Sequence, residues 1–188
     1  VKCECGMILL NPRISADKIF KHYQHISYQP HYKNNTLMDF FYRIAQALNN
    51  RLKLRTINLF HKRTSLLDYG SGDGQFCKFM VKKKWDAKFY EPFFQEDSAL
   101  SLDIDKLQDR QFDVITMFHS LEHLHNIHKT VNHLYSILNK DGVLIISVPN
   151  YNAYERGFFG LNWIAYDAPR HLYHFNYQTI KSFLNKNR

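Results

Sequence analysis

Long apolar runs and cysteine are both scarce in this sequence. In 188 residues, no apolar run approaches the roughly 20 residues that a membrane-crossing helix needs, and the first residues do not have the pattern of a secretion signal. The three cysteines, Cys3, Cys5 and Cys77, are too few and too badly placed for a disulfide framework. These absences predict a cytoplasmic protein without a membrane span.

Acidic residues are missing between Asp39 and Asp68, and the chain carries a net charge of +8. Such a positive field attracts anions. Nucleic acid is disfavoured as the partner, because the sequence has no glycine-arginine repeat, recognisable zinc finger or RNA-binding sheet motif. A solvated basic helix face and an anionic small substrate remain as alternatives.

The apolar spacing predicts one α/β domain. Residues 36–60 have apolar side chains at intervals of three and four, which predicts an amphipathic helix with its basic residues outward. "SLLDYGSGDGQF" (65–76) then predicts a strand, a tight turn and the start of a helix. Four more strands are predicted at 87–92, 99–104, 112–118 and 142–150, the last preceded by a helix that ends at Gly142. This alternation is typical of a Rossmann-like parallel sheet with helices on both faces.

The ends of the first two predicted sheet strands indicate a nucleoside cofactor. Gly70, Gly72 and Gly74 allow the backbone to turn sharply and approach a ligand closely. Glu91 ends the next strand, about twenty residues on, where a carboxylate can accept hydrogen bonds from both hydroxyls of a ribose. Position 75 is glutamine where the dinucleotide fingerprint requires glycine, and no P-loop lysine follows.

The motifs "LLDYGSGDG", "FYEP", "LDIDKL", "FDVITMFHSLEHLHN" and "DGVLIISVPN" occur in the order found in class I S-adenosylmethionine-dependent methyltransferases, which the chain resembles from about residue 64 to 180. "LEH" and "DAPRHLYHF" are similar to motifs of a bacterial small-molecule and sugar methyltransferase subgroup. The resemblance implies methyl transfer from S-adenosylmethionine, with S-adenosylhomocysteine as product, to a sugar, a nucleotide sugar or another secondary metabolite.

The resemblance also implies a division of the chain. Residues 1–35 would form an N-terminal segment, with the remnant of a cysteine-containing unit and a lid over the cofactor, and 36–188 the catalytic domain. The family's sixth and seventh strands are not found in this sequence, so either terminal strands are missing or the sheet has five strands. Monomer and homodimer are both compatible with this expectation.

By the same resemblance, roles pass to individual residues. Glu91 would bind the ribose, Pro92 and Phe93 would contact the adenine face, and Asp103 and Ile104 its edge. The full set of expected cofactor residues is Asp68, Tyr69, Gly70, Ser71, Gly72, Gly74, Glu91, Pro92, Phe93, Asp103, Ile104, Phe118 and His119.

Histidine suits proton removal from an acceptor because it titrates near neutral pH. Four histidines near the expected pocket, His119, His123, His171 and His174, are candidates for this role. The resemblance favours His171 as the base, and His123 is the second expected catalytic residue; alternatively, His171 only hydrogen-bonds a loop backbone. The expected substrate residues are Tyr28, Trp163, Tyr166, Arg170 and His174. The aromatic members of this set could equally pack their loop onto the domain.

"HSLEH" (119–123) also matches H-x-x-E-H, a zinc signature of certain peptidases. That site needs both histidines on one helix, whereas His119 directly follows the predicted strand 112–118. We therefore expect no metal here. A zinc hydrolase and a noncatalytic cofactor-binding module on the same fold are the alternatives to a methyltransferase.

Overall fold

A computed structural model describes residues 1–23, 37–62, 64–92, 100–102 and 107–187. In chain order the elements are β1 (Ile8–Leu9), α1 (Ala16–Ile19), α2 (Leu37–Ile57), β2 (Ser65–Tyr69), α3 (Gln75–Lys82), β3 (Asp86–Tyr90), β4 (Phe112–Phe118), α4 (Ile127–Ser136), β5 (Leu138–Ser147), α5 (Tyr154–Phe159), β6 (Tyr173–His174) and α6 (Tyr177–Lys186). Short 3-10 turns cover Phe20–His22, Leu121–His123, Gly160–Asn162 and Ile164–Tyr166.

The main sheet has the strand order β3-β2-β4-β5, and all three strand pairs are parallel. Its side chains alternate between two faces, because successive residues of a strand point in opposite directions. Leu66 and Val114 belong to the core shared with α3, whereas Leu67 and Ile115 belong to the core shared with α4 and α6. The predicted α/β fold, with helices on both faces of a parallel sheet, is confirmed.

Helix α6 shows how local sequence sets an element's start. The Asn176 side chain accepts a hydrogen bond from the Thr179 amide at 2.9 Å, and the Thr179 hydroxyl accepts one from the Asn176 amide at 2.9 Å. This reciprocal cap satisfies amides that have no partner within the helix. Phe183, on the inward face of the same helix, is buried in the core.

The apolar stripe predicted for α2 does not face the core, so this part of the prediction is wrong. The exposed members of the stripe are Phe40, Phe41, Ile44, Leu48 and Leu52. Near its C-terminal end α2 does meet the domain, where Ile57 is fully buried and Leu54 packs beside it. The side of α2 that contacts the domain also carries Lys53, whose ammonium lies 4.3 Å from the ring centroid of Phe118.

Several predicted boundaries change. β3 covers Asp86–Tyr90 instead of 87–92, and α4 ends at Ser136 instead of Gly142. β5 begins at Leu138 instead of 142, and Gly142 lies inside the strand, where an added Cβ would come within 3.0 Å of the Phe112 carbonyl. Phe112 lies opposite Leu138 and Val114 opposite Val143, so a register shift between them accommodates three extra residues in β5. In the predicted strand 99–104, Ser101 forms a single parallel bridge to Phe89, and residues 99, 103 and 104 lie outside the described residues.

The N-terminal residues pack onto the same domain. β1 pairs with β6 in an antiparallel ribbon, with Ile8 opposite His174 and Leu9 opposite Tyr173. Met7 is buried in the core that contains α4 and α6. The division at residue 35 remains a prediction.

Within the described ranges, no helix is both long enough and apolar enough to span a bilayer.

Candidate cofactor and acceptor site

The glycine loop between β2 and α3 has a backbone that other residues adopt only with strain. Gly70, Gly72 and Gly74 have φ values of 74°, 61° and 68°. A Cβ on Gly70 would lie 2.3 Å from Cβ of Ser120, and one on Gly74 would lie 2.9 Å from the Phe89 ring. A Cβ on Gly72 would meet nothing within 4 Å, so one side of the loop is open. The loop is thus closely packed at two glycines and accessible at the third.

A carboxylate lies against this loop. Because β2 and β3 run parallel with Tyr69 opposite Tyr90, Glu91 comes directly after the strand position beside the loop. The Gly72 amide donates to Oε2 of Glu91 at 2.8 Å, and the Gly70 amide donates to the Tyr90 carbonyl at 2.8 Å. The buried hydroxyl oxygen of Ser71 has no hydrogen-bond partner among the described residues. The loop therefore has a polar group that a ligand can satisfy.

Asp68 is buried at the end of β2, beside Thr116 and Lys53. Thr116 Oγ1 donates to its Oδ1 at 2.8 Å. Burial raises the pKa of Asp68 to about 6, although the Thr116 hydrogen bond and the positive charge of Lys53 both act to lower it. The neighbouring Tyr69 ring packs against Tyr90 in the core, with 4.9 Å between centroids. The Tyr69 side chain therefore contributes to packing, which the sequence did not indicate.

The end of β4 lies against the same loop. The Ser120 hydroxyl donates to the Tyr69 carbonyl at 2.9 Å, and the His119 amide donates to the Ser147 carbonyl at 2.9 Å. His119 has a φ of 56°, which is uncommon for a residue with a side chain. Its side chain is 61% exposed. The Phe118 ring lies edge-on to Phe76, with 5.5 Å between centroids.

His171 and His123, the two predicted catalytic residues, lie together, with ring centroids 4.6 Å apart. His171 Nδ1 is 2.8 Å from the Ala165 carbonyl. His123 Nδ1 is 3.0 Å from the Tyr23 hydroxyl. Burial, followed by the charge of His171, lowers the pKa of His123 to about 4. His123 is therefore neutral at pH 7.

Glu122 lies beside these rings and is completely buried. Its Oε1 is 4.0 Å from His171 Nε2 and 3.5 Å from His119 Nδ1. Asp167 Oδ2 also approaches His171 Nε2, at 3.5 Å. Two carboxylates therefore lie near the same ring nitrogen of His171.

The segment after β5 carries the predicted substrate residues. Trp163 is buried against Tyr166, with 5.3 Å between ring centroids, and Tyr166 meets His174 at 5.5 Å. Burial, followed by the charge of His171, lowers the pKa of His174 to about 4. Arg170 pairs with Asp167 through both Nε and Nη2. Trp163 thus packs the segment, and the Arg170 guanidinium already has an acidic partner.

Four predicted site residues, Tyr28, Phe93, Asp103 and Ile104, lie outside the described residues. Pro92 is exposed just after Glu91. Sequence reasoning missed Lys53, Thr116 and Asp167. Of these, only Asp167 had a local signal, since it precedes the "PRH" segment; the others reach the site through tertiary contacts.

Residues 119–123, which the structure describes, do not have the geometry of an H-x-x-E-H zinc peptidase site. His119 follows β4 directly, and Leu121–His123 form one 3-10 turn. A different trio, Glu122, His123 and His171, has candidate ligand atoms within 4.8 Å of one another. Glu122 Oε1 and His171 Nε2 are 4.0 Å apart, whereas ligands about 2.0–2.2 Å from a tetrahedral zinc ion would be roughly 3.4 Å apart.

A parallel sheet with a tight glycine loop at the end of one strand and a carboxylate at the end of the next defines a Rossmann-like nucleoside-cofactor fold. Residues 31–187 match a family model described as a methyltransferase domain. The chain therefore belongs to this methyltransferase family. No curated protein matched the sequence.

Solved structures share the fold. A SAM-dependent methyltransferase from Archaeoglobus fulgidus is 19% identical, with a TM-score of 0.59 over 75% of this chain and 67% of the other. A SAM-dependent methyltransferase from Thermotoga maritima is 17% identical, with a TM-score of 0.56 over 73% and 70%. The plantazolicin methyltransferase BpumL, determined with a desmethyl-plantazolicin analogue and S-adenosylhomocysteine, is 16% identical, with a TM-score of 0.53 over 73% and 58%.

These likenesses show the fold, and the family model shows the methyltransferase class. Together they confirm the predicted class I methyltransferase fold and S-adenosylmethionine as the cofactor.

Proposed function

We propose that this protein transfers a methyl group from S-adenosylmethionine to a small-molecule acceptor. The observation that carries the proposal is the open glycine loop beside Glu91, in a chain of the methyltransferase family. When bound, the cofactor supplies an activated methyl group, and the protein must align the acceptor, exclude water and receive any proton.

The described residues fit such a cofactor. The Glu91 carboxylate, which accepts a hydrogen bond from the Gly72 amide, would also accept from ribose hydroxyls, and the Ser71 hydroxyl, which has no partner among the described residues, would contact the ligand. Phe118 and His119 would border the methionine part from β4. Asp68, near the end of β2, would act on it through its charge, which Thr116 and Lys53 stabilise. For Tyr28, Phe93, Asp103 and Ile104 the proposed contacts rest on the resemblance alone.

The acceptor would lie against the segment that carries Tyr166 and His174. The centroids of the two rings are 5.5 Å apart, and Trp163 packs against Tyr166. A sugar, a nucleotide sugar or another small secondary metabolite fits the family resemblance. Arg170 would orient the acceptor-side loop through Asp167 rather than bind an anion alone. The proton would pass to one of the neighbouring histidines, among which the family resemblance favours His171, with His123 as the second candidate.

Calorimetry with S-adenosylhomocysteine tests the cofactor half of the proposal. Glu91→Ala removes charge-assisted hydrogen bonds worth about 1.5–3 kcal/mol each, so we expect affinity to fall on the order of tenfold to a hundredfold. Asp86→Ala, at the exposed opposite end of β3, is the matched control and should bind like the wild type. A wild-type protein that gives no binding heat at millimolar ligand would refute the proposal.

Transfer itself is tested with methyl-labelled S-adenosylmethionine and a small-molecule extract of the cells that make the protein. Label should move into an extract component with wild-type protein and move far less with Glu91→Ala. Cofactor binding without any labelled product would favour the noncatalytic binding module instead.

A further inference from the structure

The backbone of His119 is held in an unfavourable conformation. A left-handed backbone costs a residue with a side chain about 1–2 kcal/mol. His119 has a φ of 56°, and its amide is fixed by the Ser147 carbonyl while Ser120 packs against Gly70. Strain that the surroundings maintain is concentrated at functional sites. The conformation places a largely exposed imidazole at the end of β4, next to the glycine loop.

A buried carboxylate faces this imidazole. Glu122 has no exposed surface, and neither of its carboxylate oxygens is hydrogen-bonded within the described ranges. Burying a carboxylate without hydrogen bonds is unfavourable, so a buried acid usually has a charged or donating partner. Among the described residues, the histidine nitrogen nearest to Glu122 is Nδ1 of His119, at 3.5 Å from Oε1. Catalytic hydrogen bonds are often this long before substrate binds.

The other histidines near the site are less suited to receive a proton. His171 has Nδ1 at the Ala165 carbonyl, while Asp167 and Glu122 face its Nε2. His123 and His174 have a pKa of about 4, which makes them weak bases at neutral pH. By contrast, no described residue hydrogen-bonds Nε2 of His119. The His119 side chain is 61% exposed, and its Nδ1 faces the buried Glu122 carboxylate.

We propose that His119 is the general base of the methyl transfer and that Glu122 is its positioning residue. The proposal rests on the proposed function and refines it. As the acceptor atom forms its bond to the methyl carbon, the bond from that carbon to sulfur breaks and its electron pair remains on sulfur. The acceptor's proton moves to Nε2 of His119. Glu122 holds the proton already on Nδ1 and stabilises the imidazolium that forms, as the carboxylate of a catalytic triad does.

The tautomer of His119 tests the dyad without an acceptor. In the complex with S-adenosylhomocysteine, long-range proton–nitrogen NMR spectra of histidine-labelled protein report which nitrogen carries the proton, and His119→Gln assigns the signals. We expect neutral His119 to be protonated at Nδ1, and Glu122→Gln to abolish this preference. Asp167→Asn, which removes a carboxylate that lies 3.5 Å from His171 Nε2 and also pairs with Arg170, should leave the His119 tautomer unchanged. A wild-type Nε2–H tautomer, or one unaffected by Glu122→Gln, would overturn the assignment.

Labelled-methyl transfer to the same cell extract gives a second test. General base catalysis contributes about 10²–10⁴-fold, so His119→Gln should lose at least on the order of a hundredfold in rate, and His171→Gln should lose less. In His119→Gly, added imidazole should restore part of the rate, but not when Glu122→Gln is also present. A structural role for Glu122 would not produce this dependence.

Calorimetry separates the two levels of the inference. If wild type and variants bind S-adenosylhomocysteine alike, and His119→Gln still transfers methyl at the wild-type rate, the dyad is refuted and the methyltransferase function stands. If the wild type does not bind at all, the proposed function itself fails. A stoichiometric metal ion bound through Glu122 would also refute the dyad.

Discussion

Replacing Gly70 by alanine should show how much the cofactor loop depends on its contact with Ser120. Two separate costs arise at this position. The φ of 74° would place alanine in the left-handed region, at a cost of about 1–2 kcal/mol. The new Cβ would also lie 2.3 Å from Cβ of Ser120, and relieving such an overlap in a packed site costs about 1–3 kcal/mol more. We expect Gly70→Ala to lower the free energy of unfolding by about 2–5 kcal/mol.

Gly72→Ala is the matched control. Its φ of 61° brings the same kind of backbone strain, but its Cβ would meet nothing within 4 Å. In urea unfolding, the free energy of unfolding of Gly72→Ala should therefore be about 1–2 kcal/mol lower than that of the wild type. The difference between the two variants isolates the overlap with Ser120.

A second-site change makes the assay more specific. Ser120→Gly removes the atom that the new methyl group would strike, so it should destabilise the Gly70→Ala protein less than it destabilises the wild type. In a double-mutant cycle the coupling should equal the overlap energy, about 1–3 kcal/mol, and affinity for S-adenosylhomocysteine in calorimetry should recover in parallel. If Gly70→Ala and Gly72→Ala lower the free energy of unfolding equally, or if the coupling energy is near zero, the overlap with Ser120 does not limit residue 70.

Two further predictions concern Asp68 and Trp163. Burial raises the pKa of Asp68 to about 6, above its usual value of about 3.9, so stability from its protonated form is fully present below about pH 4 and is lost as the pH rises toward 6. Between about pH 4 and pH 6, the free energy of unfolding of the wild type should fall by about 3 kcal/mol relative to that of Asp68→Asn. If denaturant unfolding curves of the two proteins shift with pH by the same amount, the prediction is wrong. Trp163→Ala should remove about 3–5 kcal/mol of packing within residues 151–174 and speed hydrogen exchange there, whereas Tyr154→Ala, at a residue that is 97% exposed, should leave exchange unchanged.

The parts of the fold that follow from short-range pattern could be predicted. The strand, glycine loop and helix at 65–82, and the acid at the end of the next strand, depend on spacing between near neighbours. The apolar residues of α2 also have helical spacing, and α2 is indeed a helix. Spacing alone could not tell that Phe41 and Leu48 would be exposed while Lys53 and Ile57 face the domain, because that depends on how the helix docks.

The site was predictable in the same uneven way. Gly70 and Glu91 were identified from strand ends, since the ends of parallel strands converge at one edge of a sheet. The burial of Asp68 against Thr116, and the convergence of Glu122 with His171, join residues 48 and 49 positions apart. The left-handed backbone of His119 occurs where its amide bonds the Ser147 carbonyl and Ser120 packs against Gly70, and its neighbours in sequence give no signal for these contacts.

The β1–β6 ribbon has a consequence for the order in which the molecule is assembled. It joins Ile8 to His174, so its formation closes nearly the whole chain into a single ring. Contacts between residues so distant in sequence require a large loss of chain entropy and tend to form late. The sheet that carries the glycine loop closes much shorter loops. We therefore expect the glycine loop and its sheet to form in the nascent protein before the segment that carries His171 and His174 is fixed in place.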